Sequence, residues 1–144
     1  MLFRSFEEIG KKQKRAQVSL QEAASNVSDY DRVIWIHAQY TPKEEGLELI
    51  AKSLGVDKEK ISVPKARTVN QLLATQQIPE ELSKALQGSK GKSLLVCMAG
   101  NTSLMAVKVL AGKGIVTESL KGGISELPQA KGKPIPELIK VATE

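Results

Sequence analysis

A single cysteine, Cys97, heads the segment of this chain best suited to chemistry: Cys-Met-Ala-Gly-Asn-Thr-Ser over residues 97–103. A thiolate is a nucleophile, and its reactivity depends on how well its surroundings stabilise the negative charge. The residues that follow are of the type that could do so. Gly100 allows backbone conformations closed to other residues. Asn101, Thr102 and Ser103 are short and polar, and an apolar run begins at Leu104. That order places the thiol at the start of a helix, where partial positive charge and unpaired N–H groups favour an anion. A loop curled round the sulfur can aim several N–H groups at a bound anion or a persulfide. The plain alternative is a small, inert, buried hydrophobe, since free cysteine is among the most buried residue types. The polar loop favours the reactive reading. One cysteine excludes an intramolecular disulfide.

The elements that must carry this loop alternate in type. Ser93–Cys97 (SLLVC) is the clearest strand, and it delivers Cys97 at its carboxyl end. Asn101–Ala111 is apolar on nearly every side, as expected of a helix packed into a core. Upstream, Ser19 with Glu22 three residues later has capping-box spacing for a short helix over 19–25. RVIWIHAQ (32–39) reads as a buried strand. Thr41-Pro42 opens a helix with Leu47, Ile50 and Leu54 at helical spacing, and Gly55 is placed to end it. KISV (60–63) is a short strand limited by Pro64. Residues 71–77 and 79–87 read as helices, with Pro79 at a first helical position. Gly88 to Gly91 is a turn, 115–120 a last strand and Gly122-Gly123 another turn. The tail from Lys131 holds two prolines and one short helix. Four strands with intervening helices predict one α/β domain over 1–144, with a central, mainly parallel sheet covered on both faces. Sites in such folds lie at the carboxyl ends of strands, where Cys97 stands.

Composition narrows the function class. Hydrophobic content of 41% and charged content of 26% are ordinary for a soluble domain. Aromatics make up 3%, which argues against base stacking, so nucleic acid is not expected as a partner despite the net charge of +5. The one dense basic run, Lys11, Lys12, Lys14 and Arg15, follows Glu7 and Glu8 and reads as solvated surface. No apolar stretch approaches the ~18–20 residues of a membrane span. The N-terminus does not read as a signal peptide. Cytoplasm is the default expectation, with no membrane partner.

From Ser93 to about Pro134 the chain resembles the C-terminal half of a rhodanese domain. That family shows a strand, a Cys-x-x-Gly-x-[Ser/Thr/Arg]-Ser loop, a helix, a strand, and then Leu-x-Gly-Gly-Ile. The matching residues are Cys97, Gly100, Thr102 and Ser103, then Leu120, Lys121, Gly122, Gly123 and Ile124, with Gly132-Lys133-Pro134-Ile135 similar to the family's closing Gly-x-Pro-[Val/Ile]. Upstream, residues 17–24 resemble the family's first strand and helix. The family's Asp-Val-Arg corresponds to His37-Ala38-Gln39, and Ile61–Ala66 stands where the family has His-Ile-Pro-Gly-Ala. The resemblance implies a rhodanese-like fold and a sulfurtransferase that needs no cofactor or metal. Cys97 would be the catalytic nucleophile and would carry a persulfide. Met98, Ala99, Gly100, Asn101, Thr102 and Ser103 would hold that persulfide through their N–H groups, with hydroxyls of Thr102 and Ser103 assisting. The loop interior carries no charge, so Lys65 and Arg67 are the candidate cations for an anionic donor. The donor classes implied are thiosulfate, a mercapto acid or a protein persulfide.

Other readings compete on single residues. A phosphatase loop needs an arginine six positions after the cysteine to grip phosphate, and Ser103 is there instead. A phosphocysteine carrier places its cysteine after the first strand of its domain, whereas Cys97 follows at least two. GSKGKS (88–93) faintly matches a P-loop, but Leu86 stands where its first glycine belongs and the segment precedes a strand. His37 is the sole histidine, which excludes a metal site built on several, and it reads as a satisfied strand-end residue. Trp35 and Tyr40 read as packing residues. The rival from another class is a non-catalytic rhodanese-like module that binds a partner or senses oxidants through Cys97.

Overall fold

The computed structural model describes residues 16–86, 92–127 and 138–142. The basic run at 11–15, the Gly88–Gly91 turn and Gly132–Ile135 lie outside the described residues. The elements in chain order are β1 (Gln17–Val18), α1 (Leu20–Ser25), β2 (Tyr30–Trp35), β3 (Tyr40–Pro42), α2 (Glu44–Leu54), β4 (Ile61–Ser62), α3 (Ala66–Thr75), α4 (Glu80–Leu86), β5 (Lys92–Val96), α5 (Asn101–Gly112), β6 (Thr117–Leu120) and β7 (Ile139–Val141). Five strands form one sheet in the order β1-β6-β5-β2-β4, with every pairing parallel. Parallel strands bury both faces, which accounts for their continuous apolar runs.

Strand alternation divides the core in two. Val33 and Trp35 of β2, Leu94 and Val96 of β5 and Leu120 of β6 pack with Leu49, Ile50 and Leu54 of α2. Ile34 and Ile36, with Leu95, face the other way onto Val69 and Leu72 of α3, Leu82 of α4 and Ala106, Val107 and Leu110 of α5. The expected layering, helices on both faces of a mainly parallel sheet, is therefore present. Ser19 caps α1 as its spacing requires: its Oγ accepts the Glu22 N–H at 3.1 Å.

Several boundaries differ from the sequence expectation, each for a local reason. β2 ends at Trp35 rather than Gln39. His37 Nδ1 accepts the N–H groups of Gln39 (3.0 Å) and Tyr40 (3.1 Å), which closes a turn where a strand was expected. The helix expected to start at Gln71 starts at Ala66. Its cap comes from α4: a Glu81 carboxylate oxygen accepts the Lys65 N–H at 3.1 Å and the Thr68 hydroxyl at 2.6 Å. In α2 the buried leucines are Leu49 and Leu54, while Leu47 is half-buried. The short helix expected in the tail from Lys131 falls largely on residues outside the described ones; Ile139–Val141 form β7, antiparallel to β3 in a separate two-stranded sheet. Helix α5 buries one stripe, Ser103, Ala106, Val107 and Leu110, and leaves Met105 53% exposed, so it is not enclosed on every side.

Candidate functional site

Strand β5 ends at Val96, and Cys97 continues its alternation onto the face covered by α5. The chain then turns through Met98 and Ala99 to Gly100, whose φ of +94° is open to glycine and strained for other residues, and enters α5 at Asn101. The sulfur is thereby tucked beneath the first turn of α5, 1% exposed. Cys97 Sγ accepts the Gly100 N–H at 3.0 Å and the Ser103 N–H at 3.4 Å, and Ser103 Oγ lies 3.2 Å from it. These are orphan N–H groups of a helix start, satisfied here by sulfur rather than by a capping side chain. A cradle of this kind stabilises negative charge on sulfur by dipoles already in place.

The second motif, Leu120–Ile124, is what shapes the first. After β6 the chain turns through Gly122 (φ +77°) and Gly123 (φ +59°) and hydrogen-bonds to the cysteine loop. Ile124 N–H donates to Cys97 O at 2.9 Å, and Ser125 N–H donates to Met98 O at 3.2 Å. A Cβ on Gly123 would overlap Cys97 O and come within 2.8 Å of the Met98 carbonyl. A Cβ on Gly100 would come within 2.8 Å of the Gly122 amide nitrogen. The two motifs thus interlock backbone against backbone, and the glycines permit the approach.

Of the residues singled out from sequence, the structure draws Cys97, Gly100 and Ser103 into direct contact. Met98, Ala99, Asn101 and Thr102 form the rest of the loop and the outer side of the first helical turn, with Ala99 and Asn101 exposed. Lys65 and Arg67 follow β4, two strand positions from β5. Lys65 lines a cleft of about 340 Å³ with Thr41, Pro42, Val63 and Lys140.

His37 follows β2, the strand beside β5. Its ring stacks on Trp35 (centroids 6.4 Å apart) and meets Tyr40 edge-on at 5.1 Å. With Nδ1 accepting two N–H groups, its proton belongs on Nε2. Burial holds the imidazole below its usual value. The unfolded chain then takes up a proton before the folded one as pH falls. Stability contributed by His37 is present above pH about 6.5 and is lost below it. An NMR titration of the His37 ring is expected to give a midpoint below 6.5 and the Nε2–H tautomer; a midpoint above 6.5 contradicts this arrangement.

Sequence reasoning missed a buried polar group and a buried hydroxyl on β6. Glu118, 3% exposed, accepts from Tyr30 Oη (2.5 Å) and from Lys92 Nζ (2.8 Å). Burial, then the hydrogen bond to Glu118, drives the Tyr30 hydroxyl well above the usual range. Ser119, fully buried, lies 2.6 Å from Ser103 Oγ. The signal for the first was an acid in the middle of the buried strand TESL; nothing local pointed to the second.

No family model matches the chain, and no curated protein matches it by sequence. Among described residues no helix is long and apolar enough to cross a membrane. The crystal structure of a rhodanese-related protein from Thermoplasma volcanium superposes with a TM-score of 0.50 and 23% identity, covering 82% of this chain and 94% of that one. With the five-stranded parallel sheet and its two helical layers, that likeness shows that the protein has a rhodanese-like α/β fold.

Proposed function

We propose that the protein is a sulfurtransferase that carries sulfane sulfur as a persulfide on Cys97. The Cys97 thiolate attacks the outer sulfur of a donor. A new S–S bond forms while the donor's bond to that sulfur breaks, and its electron pair leaves with the rest of the donor. A nucleophilic acceptor then takes the outer sulfur and returns the thiolate. The observation that carries the reading is the cradle on Sγ: two backbone N–H groups and a hydroxyl converge on one sulfur atom at the head of α5. The uncharged residues Met98, Ala99, Gly100 and Asn101 favour a mercapto acid or a protein persulfide over thiosulfate as donor. Thiocyanate formation from each donor with cyanide as acceptor tests this. The wild type is expected to turn over faster with a mercapto acid than with thiosulfate, and Cys97→Ala is expected to fall to the uncatalysed background. Equal rates for wild type and Cys97→Ala contradict it.

The second reading, a binding or redox-sensing module, is favoured by the 1% exposure of Cys97 and by His37 in place of an acid. It predicts a reversible sulfenic acid or mixed disulfide on Cys97 with no sulfur transfer to any acceptor.

A further inference from the structure

We propose that Ser119 is a positioning residue for the Cys97 sulfur, acting through Ser103 from the neighbouring strand. The proposal rests on Cys97 being the reacting atom and deepens that reading. Ser119 lies on β6, in register with Leu95 of β5, with its side chain on the face that α5 covers. Its Oγ is fully buried and meets Ser103 Oγ at 2.6 Å, and Ser103 Oγ in turn lies 3.2 Å from Cys97 Sγ.

The protons in this chain can be assigned. Among the described residues, Ser103 Oγ is the hydrogen-bond partner of the Ser119 hydroxyl. Leaving a buried hydroxyl proton without an acceptor is costly, so Ser119 donates to Ser103. Ser103 then has its own proton free for one of two acceptors: Sγ at 3.2 Å or the Gly100 carbonyl at 3.4 Å. An anionic sulfur takes it, because a hydrogen bond to a charged acceptor is the stronger one. A neutral S–H must instead donate to Ser103 Oγ, which turns the Ser103 proton to the longer carbonyl contact. The short Ser119–Ser103 link therefore polarises Ser103 toward a negatively charged sulfur. The groups bonded to Sγ are all neutral, which makes this polarisation count. His37 after β2 and Lys121 after β6 are the titratable side chains that follow the flanking strands most closely, and the variants below leave both in place.

The test is the rate at which iodoacetamide alkylates the one cysteine of the folded protein at a fixed pH, with Cys97→Ala as the blank. It uses no sulfur donor, so its outcome is separate from whether sulfur transfer is observed. Ser119→Ala is expected to slow alkylation roughly 3- to 10-fold. Ser119→Thr, which keeps the hydroxyl, is expected to react as wild type. In a Ser103→Ala background the Ser119→Ala change should add nothing. Should the alanine variant fail to fold, Ser119→Val against Ser119→Thr makes the same comparison at matched volume. A Ser119→Ala alkylation rate equal to wild type overturns the proposal, as does an effect of undiminished size in the Ser103→Ala background.

Discussion

Gly123→Ala is expected to destabilise the protein by roughly 3 kcal/mol, lowering its melting temperature by about 10 °C, and to disorganise the cysteine cradle at the same time. Two effects combine. Gly123 has φ +59°, a conformation that an L side chain adopts only with strain. The new methyl would also overlap Cys97 O and crowd the Met98 carbonyl, which are backbone atoms that no side-chain rotation can move aside. Relief requires the turn after β6 to retreat from the cysteine loop, and that gives up the bonds from Ile124 N–H to Cys97 O and from Ser125 N–H to Met98 O. The loop that shapes the sulfur site is then unsupported. Gly112→Ala is the control: it has open space around a Cβ, lies in the last turn of α5, and should change stability by no more than about 1 kcal/mol. Thermal unfolding with the rate of Cys97 alkylation on both variants checks this. Equal behaviour of the two contradicts the interlock.

Removal of the Lys92 ammonium should cost about 2 kcal/mol, less than a fully enclosed pair would lose because the Lys92 side chain is 32% exposed. Lys92 starts β5, Tyr30 starts β2 and Glu118 lies on β6, so one carboxylate ties three adjacent strands at the amino end of the sheet. Lys92 Nζ also sits 5.6 Å from the centre of the Tyr30 ring. Lys92→Met leaves a buried carboxylate with only the tyrosine hydroxyl to answer it. Replacing all three members with apolar residues (Lys92→Met, Tyr30→Phe, Glu118→Leu) is expected to cost less than the single change, because no charge is left buried. Urea unfolding curves give both values. A single variant as stable as wild type contradicts the assignment.

The parts legible in the sequence are those that neighbouring residues encode. Cys97–Ser103 declares a strand end, a turn and a helix start within a few positions, and Leu120–Ile124 a strand end and a turn. The layering of the sheet follows from the apolar runs of β2 and β5. What stayed hidden depends on partners far along the chain. The start of α3 could not be read because its cap is Glu81, from the next helix. The strand β7 pairs with Tyr40–Pro42, about a hundred positions away, and three residues carry too little pattern to show it. The end of β2 was misplaced because the His37 side chain accepts two backbone N–H groups that a longer strand would have used in its ladder. Ser119 looked like one more small strand residue. Its meaning comes from Ser103, sixteen positions earlier on α5, which folding places beneath it.

The most direct test of the central claim is the intact mass of the protein after incubation with a mercapto acid and, separately, with thiosulfate. The account predicts a gain of about 32 Da, one sulfur atom, on wild type, no gain on Cys97→Ala, and loss of the added mass when cyanide is supplied. A folded wild-type protein that takes up no sulfur from either donor, or a Cys97→Ala variant that gains it as wild type does, would contradict it.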